Sequence, residues 1–120
     1  AALNIPLMVT GGFRSSNVMN DAVESGKTDL IGMGRPFIAD PAFATKLLHG
    51  EIAKAPAVEQ DFPPAETLPR GAVLNWFCAQ IAVAGRTGTP DLEMSVLDGH
   101  DSYLNQIKLA TDRLLIARRE

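Results

Sequence analysis

The sequence predicts an α/β fold, with two strand–helix units followed by a helical tail. Three observations carry that reading. Residues 5–9 (IPLMV) and 29–33 (DLIGM) are short apolar runs, each stopped by a glycine-bearing turn and followed by helical spacing of apolar residues. The two runs begin 24 residues apart, room enough for a crossover helix between parallel neighbours. Beyond residue 70 the apolar residues recur only at helical intervals.

The first run reads as a buried strand, because strands covered on both faces are continuously apolar rather than alternating. It stops at Thr10-Gly11-Gly12, where missing β-carbons permit a sharp turn. Ser15 or Ser16 then caps a helix carrying Val18, Met19, Ala22 and Val23 on one face, and Gly26 suits its end. The second strand, 29–33, leads to a turn at Gly34-Arg35-Pro36. Asp40-Pro41 reads as a cap with proline at the first helical position, and that helix is expected to end near His49-Gly50.

From 52 to 70 the prolines 56, 63, 64 and 69 among scattered charges predict an extended connector. Val73, Leu74, Phe77, Ile81 and Ala84 then mark a helix broken by the stretch 85–90. A last helix is expected from about Asp101, with Tyr103, Ile107, Ala110, Leu114 and Ala117 on one stripe and Arg113, Arg118 and Arg119 near its negative end. The organisation expected is therefore 1–50 for the strand–helix units, 51–70 for the connector and 71–120 for the tail.

Composition narrows the function. With 11 basic against 14 acidic residues the net charge is −3, which offers no basic field for nucleic acid. No apolar run approaches the roughly 20 residues that cross a bilayer, so no membrane span is expected. Cys78 is the only cysteine and by itself makes neither a disulfide nor a zinc site; a reducing, cytoplasmic setting is the expectation. No metal site is predicted.

The two turns are the chemically suggestive feature. Parallel strands ending in glycine turns place backbone N–H groups side by side, and such concavities attract anions. Gly11, Gly12 and Gly34 let a phosphate approach the main chain, and Arg35 supplies a planar fork for two of its oxygens. The same glycines equally suit ordinary tight turns. Gly32-Met33-Gly34 starts like a dinucleotide fingerprint, but Phe37 stands where the third glycine is required, and no GxxxxGK[ST] loop occurs.

MVTGGFR (8–14) followed by DLIGMGRPFIADP (29–41) closely resembles the last two βα units of the old yellow enzyme family of NADH:flavin oxidoreductases. The likeness is strongest over 5–50 and continues more loosely to Asn75-Trp76-Phe77-Cys78. It implies the C-terminal part of a (βα)8 TIM barrel with non-covalent FMN, in which phosphate sites commonly follow the last two strands. By the resemblance, Gly11, Gly12, Gly34 and Arg35 grip the FMN phosphate, and NADH or NADPH passes hydride through flavin to an electron-poor acceptor such as an activated alkene. The family's acceptor-binding His/Asn or His/His pair and its tyrosine acid belong to earlier strands, so no catalytic residue is assigned here. A chain opening at strand seven is expected to be the closing segment of a longer enzyme, inactive alone, with FMN and a small-molecule acceptor as its partners and a homo-oligomer left open. Two other readings remain: part of a non-flavin barrel that binds a phosphorylated substrate, or a non-catalytic interaction fragment.

The remaining polar and aromatic residues have plainer expectations. By the resemblance Phe13 and Phe37 sit near the cofactor and Arg14, close after the first turn, helps neutralise the phosphate; the plainer expectations are core packing for the two phenylalanines and a solvated arginine at a helix start, and Asp40 is a cap rather than an acid. His49 and His100 take no catalytic or metal role, Cys78 is a small buried thiol, and Tyr103 is a packing residue. The sequence does not decide between barrel packing and a partner surface for Trp76.

Overall fold

The computed structural model describes residues 5–118. They form two compact units divided between Ala57 and Val58. The first carries strand β1 (Met8–Thr10), helix α1 (Ser16–Glu24), strand β2 (Leu30–Gly32) and helices α2 (Arg35–Ala39) and α3 (Phe43–Leu48). The second contains two 3₁₀ turns (Val58–Asp61 and Ala65–Thr67) and helices α4 (Ala72–Thr87) and α5 (Val96–Ala117).

In the first unit β1 and β2 pair in parallel, Met8 opposite Leu30, Val9 opposite Ile31 and Thr10 opposite Gly32. Their register is set at the entry. The buried Thr28 hydroxyl lies 2.9 Å from the Leu7 carbonyl and 2.8 Å from that of Leu30, and accepts the Val9 N–H at 3.3 Å. The Asp29 carboxylate accepts the Leu7 N–H at 2.8 Å. At the other end Gly11 N–H extends the pairing onto the Gly32 carbonyl. A β-carbon at Gly32 would collide with the Thr10 side chain, so this pairing requires glycine there.

The strands are shorter than expected and less covered. Met8 is 59% and Leu30 55% exposed, although their apolar runs predict burial on both faces. Side chains alternate along a strand, and helices cover one face only. Ile31 and Met33 pack against Met19, Phe43 and Ala55, joined by Phe13, Ala44, Leu47 and Ile52. On α1 that core takes Met19, whereas Val18 and Val23 lie exposed. Gly26 ends α1 as expected: its N–H reaches Val23 and that of Lys27 reaches Ala22.

The single helix expected after Asp40-Pro41 is replaced by two short ones. Helix α2 already begins at Arg35, with Pro36 in its first turn, so 34–36 is a helix entry rather than a free turn. Asp40 closes α2 and turns the chain into α3: its carboxylate accepts the Ala42 N–H at 2.9 Å and its carbonyl the Phe43 N–H at 3.1 Å. Lys46 reaches back to the same carboxylate at 2.6 Å and holds the Asp40 pKa below its ordinary value.

The connector is not uniformly extended. Ala55 is buried in the first unit and Ile52 packs on its core, while 58–61 and 65–67 coil into 3₁₀ turns.

The second unit is organised by Trp76, which is fully buried. Its indole N–H donates to the Met94 carbonyl at 2.9 Å, and Phe62 and Phe77 stand edge-on to it at 4.9 and 5.0 Å. Buried Gln80 completes the fastening of the α4–α5 loop, accepting the Asp91 N–H at 2.7 Å. Gly99 lets α5 close on Trp76: a β-carbon there would come within 2.5 Å of the indole and 3.1 Å of the Trp76 α-carbon.

Expectations for both helices are corrected. The buried face of α4 comprises Ala72, Trp76, Phe77, Ala79 and Gln80, while Leu74 and Ile81 are exposed; the helix continues through Gly85 to Thr87. Hydrophobicity alone misplaces the face because Trp76 and Gln80 are buried through their polar bonds to the following loop. Helix α5 begins at Val96, five residues before Asp101. Ser95 accepts the Asp98 N–H at 3.1 Å and its hydroxyl donates to the Asp98 carboxylate, a capping arrangement that fixes the start. Of the expected α5 stripe, Tyr103 is half-buried and Ile107, Ala110, Leu114 and Ala117 are exposed. Arg118 caps the helix, and Arg119 lies outside the described residues.

Two measurements check this description. Gly99→Ala is expected to lower stability by about 1–3 kcal/mol through overpacking, and Trp76→Ala by about 3–5 kcal/mol, in urea unfolding followed by circular dichroism. Asp40→Asn is expected to cost about 0.2–1 kcal/mol at pH 7, the range of partly exposed pairs. Because folding lowers this carboxyl's pKa, its contribution is present above the unfolded value near 3.8 and fades as pH falls through the folded one. Parallel unfolding curves at pH 7 and pH 3 should therefore show the gap between wild type and Asp40→Asn closing.

Candidate anion-binding site

Parallel pairing brings both post-strand turns to the same edge of the sheet. There a hollow of about 310 Å³ is lined by Gly11, Gly12, Arg14, Met33, Gly34, Arg35 and Pro36. All four residues singled out from the sequence thus surround one space, and Arg14 joins them.

The glycines differ in what demands them. Gly11 and Gly12 have φ of +100° and +79°, a backbone region that side-chain-bearing residues rarely adopt, so the turn itself requires them. Gly34 caps α2 with φ −109° and ψ −69°, and a β-carbon added there meets nothing within 4 Å. Neither backbone nor packing explains glycine at 34. What a β-carbon would fill is open space beside the hollow.

The lining is electrostatically one-sided: two guanidiniums and no carboxylate. Arg35 stands at the first position of α2. Arg14 is half-buried, and its Nη1 donates to the Phe13 carbonyl at 2.8 Å. Such a lining can hold an anion by charge-assisted hydrogen bonds and close main-chain approach. It contains no group suited to proton transfer at neutral pH.

Arg14 is therefore not the fully solvated side chain expected. The signal for it was its position two residues after the glycine pair; what local patterns do not show is the packing of residues 53–55 against 14–16. Phe13 is half-buried on the core. Phe37 meets Phe43 edge-on at 4.5 Å but remains 45% exposed.

The other candidates stand apart from the hollow. His49 ends α3, exposed, with Nδ1 3.5 Å from Glu51. In the second unit His100 Nδ1 is 2.9 Å from the Asn75 amide, a pairing between α5 and α4. Cys78 is half-buried beside Tyr103, and the charge its sulfur can carry, together with their hydrogen bond, raises the phenol above its ordinary pKa. Among the described residues no three His, Cys, Asp or Glu side chains are grouped to hold a metal ion, and no helix is long and apolar enough to cross a membrane.

Comparison with known proteins falls on the same part of the chain. Residues 2–53 match the family of NADH:flavin oxidoreductases and NADH oxidases. The chain is 40% identical over 52 residues to the NADH-dependent flavin oxidoreductase iccE of Talaromyces variabilis, covering 42% of this chain and 13% of that protein. It is 33% identical over 52 residues to a cinnamate reductase of Clostridium sporogenes, covering 43% of this chain and 8% of the relative. With the NADH-dependent flavin oxidoreductase iliE of a Neonectria species it shares 43% identity over 37 residues, 31% of this chain and 5% of the other. The chain thus corresponds to a small part of each relative's length. No solved structure matches it.

Proposed function

We propose, from the match of residues 2–53 to the NADH:flavin oxidoreductase / NADH oxidase family, that this chain supplies the FMN phosphate site of a flavin-dependent oxidoreductase. The observation that carries the proposal is the shared hollow. Gly11 and Gly12 from one turn, and Gly34 and Arg35 from the next, line one space with no carboxylate among its lining residues. A phosphate monoester carries about −1.5 to −2 charges at neutral pH, which suits that lining. The open space at Gly34 gives the main chain room to meet phosphate oxygens.

FMN, when bound, supplies the hydride chemistry between NADH or NADPH and an electron-poor acceptor such as an activated alkene. The residues of this chain bind and orient. Arg35 offers two parallel N–H donors to phosphate oxygens, and the glycine turns admit the phosphate to the backbone. Holding the phosphate at the sheet edge fixes the distance from which the rest of the cofactor extends. No residue of this chain is given a part in hydride or proton transfer.

The open sheet face supports the barrel reading of the fold. Met8 and Leu30 are apolar, exposed and on the face away from the helices. In a (βα)8 barrel that face is interior, filled by side chains from the other strands. The two βα units are then its last two, and the turns after them occupy the usual place of a barrel phosphate site.

The tests use the full-length protein that carries this chain. Flavin absorbance of the purified protein separates this reading from a non-flavin barrel that holds a phosphorylated substrate. Arg35→Ala is expected to weaken FMN binding by about 1.5–3 kcal/mol, or roughly ten- to more than a hundredfold, with Arg35→Lys restoring only part. Gly34→Ala should separate two effects: a gain of about 0.4–1 kcal/mol in stability and a loss of about tenfold or more in FMN affinity. Unaltered FMN titrations for both variants would reject the site.

A further inference from the structure

We infer that helix α5 pairs with the α5 of a second copy of this chain, antiparallel and about a twofold axis, so that the protein carrying this chain is a dimer joined through this helix. The inference is independent of the flavin reading above.

Helix α4 covers only part of α5. Val96 and Gly99 are buried and His100, Ser102, Tyr103 and Gln106 half-buried, whereas every described residue from Ile107 on is exposed. Beside the covered face runs a stripe at the spacing of a coiled-coil seam, alternately three and four residues apart: Leu97, His100, Leu104, Ile107, Thr111 and Leu114. Its apolar members are 45–67% exposed. They extend along about 26 Å of helix, and a monomer seldom leaves so long an apolar stripe in water. Leu115 borders the stripe, while Leu109 and Ile116 are exposed on the other side of the helix and take no part in it.

Charge and register together specify a second copy as the occupant. An antiparallel pairing centred between Asn105 and Gln106 sets Leu97 against the partner's Leu114 and Leu104 against the partner's Ile107, and the twofold axis repeats each contact. His100 then meets the partner's Thr111, a polar layer that opposes any other register. The charged residues flanking the seam are Asp101 and Lys108, both exposed and both on the same side of it. Among the described residues neither has an ion-pair partner within the chain. In the antiparallel register Asp101 comes beside the partner's Lys108, and Lys108 beside the partner's Asp101. A parallel pairing instead brings Tyr103 beside the partner's Lys108 and leaves both charges unmatched, with the two helix dipoles aligned. The helix thus complements itself in one orientation only.

Sedimentation equilibrium of the full-length protein that carries this chain tests the pairing. The wild type is expected to be a dimer. Asp101→Lys places like charges together at two symmetric points of the interface, and so does Lys108→Asp. Each alone is expected to raise the dimer dissociation constant about tenfold or more. The double variant Asp101→Lys/Lys108→Asp is expected to recover wild-type dimerisation, and an equimolar mixture of the two single variants to form a mixed dimer, because each supplies the charges that the other lacks. A monomeric wild type would overturn the inference and leave the stripe to be covered from within the longer polypeptide. So would a dimer that neither reversal weakens, or one that both weaken without recovery in the double variant and the mixture.

Discussion

Parallel, in-register pairing of two three-residue strands is the constraint from which the site follows. Because Met8, Val9 and Thr10 face Leu30, Ile31 and Gly32 in step, the chain leaves both strands at one edge. A slip of one residue would exchange the faces of all the side chains in a strand, taking Ile31 off the helical core and moving Gly32 out from under Thr10. The Thr28 hydroxyl and Asp29 carboxylate oppose such a slip, since they bind main-chain groups at the start of the pairing. The geometry of the hollow is thus inherited from hydrogen bonds at the opposite end of the strands.

Much of this arrangement is legible in the residues. Apolar runs, glycine turns and the interval between them suffice for two parallel βα units, and the order of elements through α3 follows. What local patterns miss are the places where a distant residue decides. The strands read as doubly covered because the run is apolar, but coverage depends on neighbours that a run cannot specify. The start of α5 lay in a cap, Ser95 with Asp98, upstream of the apolar stripe chosen to define the helix. The buried face of α4 was obscured by Gln80, a polar residue whose burial makes sense only once the Asp91 N–H is beside it.

That Gly11, Gly12, Gly34 and Arg35 share one hollow was legible because parallel strands carry their following turns to the same edge. Arg14 was legible only as a lesser alternative, since a lone arginine before a helix ordinarily belongs to solvent. Its situation is decided by Ala53, Lys54 and Ala55, in a stretch whose prolines and charges suggested only a connector. Family likeness also fades at this stretch, with the matched region ending at residue 53.

The packing of residues 53–55 against 14–16 has a consequence for the order of events during synthesis. Backbone partners for residues 14–16 leave the ribosome only after α1, β2, α2 and α3 have all been made. Until Ala55 emerges, the loop after the first strand lacks the hydrogen bonds that settle it, however early that strand itself finds its shape. Completion of the turn that borders the hollow is therefore a late step in the making of this unit, timed by a segment outside the hollow's lining.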